Sequence, residues 1–169
     1  MSWGRWPVLQ VALDFTSIDE AIRVAERISG IDDLWLEAGT PLIKSEGVKA
    51  IKRLRELFPD KFIVADLKIA DAGRIESELA ARAGANMVTV LGTSATETIK
   101  DVIEACRGLG IKAMVDLMDL PSPLEHVERF IKLGADALVY HIGYGRQRGG
   151  LRAIDFIDRI ERLTAKSRI

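Results

Sequence analysis

The chain has 169 residues, 48% of them hydrophobic, and its 25 acidic and 24 basic side chains leave a formal charge of −1. That length supports one globular domain with a substantial core, and the balanced charge gives no electrostatic case for nucleic acid or an anionic membrane as partner. Cys106 is the single cysteine, which excludes an intrachain disulfide and a thiolate zinc cluster.

Residues 1–7 lack the apolar stretch of a signal peptide, and no later run approaches the roughly 20 residues needed to span a bilayer. A cytoplasmic location is therefore expected. A first strand is predicted at 8–13, ending in Asp14. Ser17 with Glu20 fits a capping box opening a helix that Gly30 closes. A second strand at 34–36 ends in Glu37, and the charged stretch at 51–56 reads as the solvated face of a helix. The third strand, 62–65, is followed by Asp66, Lys68 and Asp71, and the next helix ends at Gly84. A fourth strand covers 87–91. Ser94 with Glu97 then opens a helix that buries Cys106 as a small core residue and stops at Gly110. The fifth strand, 112–115, ends in Asp116, and Ser122 with Glu125, helped by Pro123 at the first helical position, starts a helix closed by Gly134. A sixth strand at 137–140 ends in His141. A glycine- and arginine-rich stretch, 143–150, follows it as a candidate anion-binding loop, and a last helix is predicted at about 153–166. Trp3 and Trp6 would cap the bottom of the sheet or meet a partner.

The apolar runs recur about every 25 residues, a spacing that suits one strand, one helix and two short loops. Several runs are apolar on both faces, as in a covered parallel sheet. The alternating order forces parallel pairing through right-handed crossovers. The expected fold is α/β, a TIM-type barrel truncated to about six units with the last two strands missing, in a single domain over 1–169 that is incomplete at its C-terminal end. A doubly wound open sheet is the alternative, although no Gly-x-Gly-x-x-Gly turn follows Leu13.

In either architecture ligands bind at the carboxyl ends of the strands, where Asp14, Glu37, Asp66, Lys68, Asp116 and His141 would converge. Each has a plainer alternative. Asp14 can simply open a turn, Glu37 needs some partner in its apolar setting, and Asp116 can begin a loop. His141 can be a structural residue or a proton carrier near neutral pH. Alternation in a strand puts Asp66 and Lys68 on one face. Opposite charges in a nearly dry interior are a poor stability device, so a site that uses both explains them better.

Three segments carry a family resemblance: Leu9-Gln10-Val11-Ala12-Leu13-Asp14, Glu37-Ala38-Gly39-Thr40-Pro41-Leu42-Ile43-Lys44, and Ala65-Asp66-Leu67-Lys68-Ile69-Ala70-Asp71-Ala72-Gly73. They resemble successive motifs of the orotidine 5′-phosphate decarboxylase superfamily. The glutamate-ending second strand points to its metal-dependent branch, which contains 3-hexulose-6-phosphate synthase and 3-keto-L-gulonate-6-phosphate decarboxylase. The segment from Thr40 to Lys44 looks most like the synthase, and Ile142 and Tyr144 stand where the decarboxylase carries arginines. The resemblance implies that Glu37 and Asp66 bind Mg²⁺ and that Lys68 stabilises an enediolate of ribulose 5-phosphate. His141 would shuttle the C1 proton before attack on formaldehyde, and Asp14 and Asp116 would position sugar hydroxyls. It also implies a homodimer in which Asp71 reaches the neighbouring subunit's site. The family's phosphate grip follows strands seven and eight, for which no further apolar runs are expected after the sixth, and Gly145 stands where the family often has an acidic residue. A keto-sugar-phosphate decarboxylase and a non-catalytic remnant therefore remain as alternatives.

Overall fold

The computed structural model describes residues 7–150 and Arg152. The helix expected at 153–166, Trp3 and Trp6 lie outside the described residues. Six strands form one parallel sheet: β1 (Leu9–Leu13), β2 (Leu34–Ala38), β3 (Phe62–Ile69), β4 (Met87–Leu91), β5 (Lys112–Asp116) and β6 (Ala137–Val139). Their spatial order is their chain order. Each strand is added beside the one before it, the winding of a barrel, and the sheet curls as part of a TIM-type fold. The doubly wound alternative needs a reversal of strand order and is excluded.

Helices α1 (Ile18–Ile28), α2 (Thr40–Glu46), α3 (Lys49–Leu57), α4 (Gly73–Ala83), α5 (Thr96–Leu109), α6 (Val127–Leu133) and α7 (Tyr144–Arg148) fill the connections, with a 3₁₀ turn at Pro123–His126 before α6. The main core joins them to one face of the sheet. Ala25, Leu42, Ile51, Leu54, Val102 and Phe130 pack from the helices on Leu36, Ile63, Val88 and Val115 of the strands, all buried. Cys106 is fully buried there, and burial pushes its thiol up to about 11, as expected of an inert core residue.

The inner face of the sheet has two layers. Trp35, Val64, Met87 and Met114 form a separate apolar cluster, with Trp35 stacked on Phe62 at a 4.2 Å ring separation. Two residues further along each of these strands stand Glu37, Asp66, Thr89 and Asp116. The strand period of two puts them on the same face, one layer nearer the carboxyl ends.

Several local expectations need correction. None of the three serines makes a side-chain capping bond. The Ile18 amide is taken by Glu46 Oε1 at 3.1 Å, and Ser94 donates to the Ile69 carbonyl at 3.2 Å, leaving Ala95 as the N-cap of α5. Gly84, Gly110 and Gly134 are left-handed caps as expected, whereas α1 ends at Ser29 in a right-handed conformation, so Gly30 is no such cap. The stretch at 143–150 contains the short helix α7. Arg55 is also no solvated residue. Its guanidinium donates to the carbonyls of Gly84 (3.0 Å), Pro59 (2.7 Å) and Lys61 (2.9 Å) and to Asn86 Oδ1, clipping together the loops at the amino ends of β3 and β4.

Candidate active site at the carboxyl ends of the strands

One cavity of about 710 Å³ opens over the upper layer and is lined by Asp14, Glu37, Asp66, Lys68, Asp116 and His141, among others. Six of the seven residues singled out in the sequence thus come together. Asp71 does not. It lies exposed beyond β3, where its Oδ1 accepts the Ala72 amide at 2.8 Å.

Asp116 is the anchor of the group. Only 1% exposed, it accepts from the Met118 amide at 2.8 Å and meets His141 Nδ1 at 2.9 Å, and Lys68 Nζ stands 3.4 Å away. Burial alone would raise the carboxyl's pKa. The bonds from His141 and Met118, with the charges of His141 and Lys68, outweigh it and hold the carboxyl below its ordinary range. The same hydrogen bond to Asp116 raises His141 against the opposing effect of burial. Lys68 is pulled down by burial, but its hydrogen bond to Asp66 and the charges of Asp66 and Asp116 carry it above the usual lysine value. Lys68 is therefore a fixed cation, and His141 is a group whose charge is set by Asp116.

Asp66 is 6% exposed, and both of its carboxylate oxygens have partners. Oδ1 accepts from Thr89 Oγ1 at 2.7 Å, and Oδ2 lies 2.7 Å from Thr40 Oγ1 and 2.5 Å from Lys68 Nζ. Glu37 is less well provided. Gln10 Nε2 donates to its Oε2, and burial, with smaller contributions from the charges of Asp66 and Asp14, raises its pKa to about 7. Asp14 needs the bare backbone of Gly39, because a Cβ there would collide with Asp14 Oδ1 and stand 3.0 Å from the Leu13 carbonyl. Among the described residues no buried polar side-chain atom lacks a partner.

The donor set fits a hard cation. Among the described residues no three His, Cys, Asp or Glu side chains gather closely enough to cage a metal. Glu37 and Asp66 offer two carboxylates near enough for one charge to act on the other. Mg²⁺ is commonly held in this way, by one or two carboxylates with its other positions left to water and substrate oxygens.

The family model described as orotidine 5′-phosphate decarboxylase / HUMPS matches residues 7–153. The chain belongs to this family. Among its relatives in the family, the 3-hexulose-6-phosphate synthase of Bacillus subtilis is 35% identical over 153 residues, covering 90% of this chain and 72% of that protein. The bifunctional enzyme Fae/Hps of Methanosphaerula palustris is 37% identical over 135 residues, and there the chain spans only 34% of the relative's length. Among solved structures, 3-hexulose-6-phosphate synthase from Salmonella typhimurium superposes with a TM-score of 0.86 at 36% identity, over 92% of this chain and 74% of that one. A KGPDC from Streptococcus mutans in complex with D-R5P gives 0.85 at 28% identity, over 96% and 75%. The family is thus one that contains enzymes, 3-hexulose-6-phosphate synthases among them.

Three polar residues of this family member escaped the sequence reading as site residues. Gln10, Thr40 and Thr89 all line the cavity and bond to Glu37 or Asp66. Gln10 and Thr89 each interrupt an otherwise apolar strand, which marks them as unusual but not what they bond to.

Proposed function

We propose that the chain acts as a 3-hexulose-6-phosphate synthase-like aldolase, joining formaldehyde to ribulose 5-phosphate through an enediolate. The observation that carries this reading is the unbroken line His141–Asp116–Lys68–Asp66 within one cavity, a proton carrier and a fixed cation held on the same buried carboxylate. Enolisation beside a carbonyl needs a base at the C1 proton and positive charge where the oxygen becomes negative.

In this reading Nε2 of His141 takes the proton from C1, while Asp116 holds the ring through Nδ1 and stabilises the imidazolium that results. The Lys68 ammonium, fixed by Asp66 and Asp116, faces the negative charge developing on the enediolate oxygens. The enediolate carbon then attacks the formaldehyde carbon, and the new alkoxide collects a proton. Mg²⁺ bound by Glu37 and Asp66 would polarise the sugar carbonyl and neutralise developing charge. Asp14 and Asp116 would orient sugar hydroxyls. The phosphate would lie toward Tyr144, Gln147 and Arg152, since the remaining polar wall is rich in carboxylates that repel a dianion. The exposed Asp71 suits a role in a neighbouring subunit's site, so the working unit would be a homodimer.

The decarboxylation of 3-keto-L-gulonate 6-phosphate passes through the same kind of enediolate and is the second reading. It is favoured by the similarity to the Streptococcus mutans structure. Ribulose 5-phosphate-dependent loss of formaldehyde, measured beside carbon dioxide release from the keto-gulonate phosphate, separates the two. Faster formaldehyde loss supports the aldolase, and carbon dioxide release without formaldehyde loss contradicts it.

A further inference from the structure

The register of β3 against β4 breaks at the site. Ala65 pairs with Val88 and Ile69 with Val90, so Asp66, Leu67 and Lys68 stand opposite the single residue Thr89. A regular ladder cannot span such a mismatch, and the chain bulges there. Lys68 takes a left-handed backbone with φ of 48°, which is costly for a residue with a Cβ. Thr89, 2% exposed, spans the gap with one hydroxyl. Its oxygen accepts the Lys68 amide at 2.9 Å, and its proton goes to Asp66 Oδ1 at 2.7 Å. The only proton of the hydroxyl and one of its lone pairs are therefore committed to the backbone of the lysine and the side chain of the aspartate.

We propose that Thr89 is a positioning residue: its hydroxyl holds the bulged backbone of Lys68 and the carboxylate of Asp66 in the fixed arrangement in which the two meet in the cavity. Without it, Lys68 loses the acceptor for its amide and the support of its left-handed backbone, so its ammonium is no longer held in place against Asp66 and Asp116. Asp66 at the same time loses the partner that fixes Oδ1. The role rests on the proposed reading of this cavity as the reacting site, but the structural consequence for Lys68 does not.

The test uses the full chain and compares Thr89→Val, which keeps the branched shape, with Thr89→Ser, which keeps the hydroxyl. Two readouts are taken. The first is the rate at which formaldehyde and cyanoborohydride methylate Lys68 relative to the exposed Lys52, read by mass spectrometry. Thr89→Val is expected to raise this ratio about tenfold and Thr89→Ser to leave it near wild type, because a hydrogen bond serving charged groups is lost in one and kept in the other. The second readout is turnover of ribulose 5-phosphate, where Thr89→Val is expected to lower kcat about ten- to hundredfold with KM changed little, and Thr89→Ser to restore most of it. An unchanged Lys68 ratio in folded Thr89→Val overturns the proposal. If the valine variant does not fold, amide exchange of the wild type decides: a protected Lys68 amide supports the bond to Thr89, and a freely exchanging one overturns it. A wild type that turns over no sugar phosphate sinks the proposed function, while the lysine readout still judges Thr89.

Discussion

Replacing Glu37 by glutamine keeps the shape of the side chain and removes its charge, so it isolates what an ionised Glu37 does to the fold. Burial lifts this carboxyl from an ordinary 4.5 to about 7, opposed by the Gln10 amide and reinforced by Asp66. Between those two values the folded chain holds a proton that the unfolded chain has released, so stability falls as pH rises across that window. At about 1.4 kcal/mol for each unit, the ionised group costs at most about 3.5 kcal/mol above pH 7. Urea unfolding of wild type and Glu37→Gln, each in chelator from pH 4.5 to 8.5, reads the difference directly. The variant is expected to gain on the wild type from pH 4.5 upward and to level off above about 7. Added Mg²⁺ at high pH is expected to raise the wild-type midpoint more than that of the variant, since only the wild type offers the carboxylate. Parallel pH profiles for the two proteins refute the assignment of Glu37 as a strained, cation-seeking carboxylate.

Other substitutions probe the rest of the molecule. His141 is held up by its bond to Asp116, so its contribution to stability is complete below the unfolded value of 6.5 and is lost as pH rises through its folded pKa. Asp116→Asn should lower the His141 titration followed by NMR at the ring Cε1 proton, a readout simplified by the presence of only two histidines, and it should destabilise by roughly 3 kcal/mol. An unmoved titration contradicts the geometry. Arg55→Ala removes the clip at the opposite end of the sheet and should cost about 2–4 kcal/mol in urea unfolding while leaving the folded fraction's activity unchanged. Gly39→Ala forces Asp14 out of place and should raise KM for the sugar phosphate about tenfold; an unchanged KM removes Asp14 from the substrate site.

Much of this arrangement was legible in the sequence, because apolar runs at a 25-residue spacing leave few ways to fold. The residues at the run ends were visible for the same reason: Glu37 and Asp116 directly follow buried apolar residues, and the chain must turn there. Alternation placed Asp66 and Lys68 on one face, and they do meet, yet through a bulge and a left-handed lysine that no periodicity encodes. Thr89 was hidden because its importance lies in a pairing between β3 and β4, a relation that neither segment carries alone. The serine caps failed for a related reason. The hydroxyl of Ser94 goes instead to the Ile69 carbonyl, distant in sequence, a partner that local capping rules cannot foresee. Arg55 looked like any solvated charge because its acceptors belong to loops that reach it only in the folded chain.

The most direct test of the account follows the C1 proton of ribulose 5-phosphate by NMR in D₂O, with the protein, Mg²⁺ and a chelator control. Exchange that requires the metal and disappears in Lys68→Met and His141→Ala is the predicted result, and consumption of added formaldehyde should accompany it. A folded protein that binds the sugar phosphate and leaves the C1 proton in place would contradict the enediolate chemistry on which the proposed function stands.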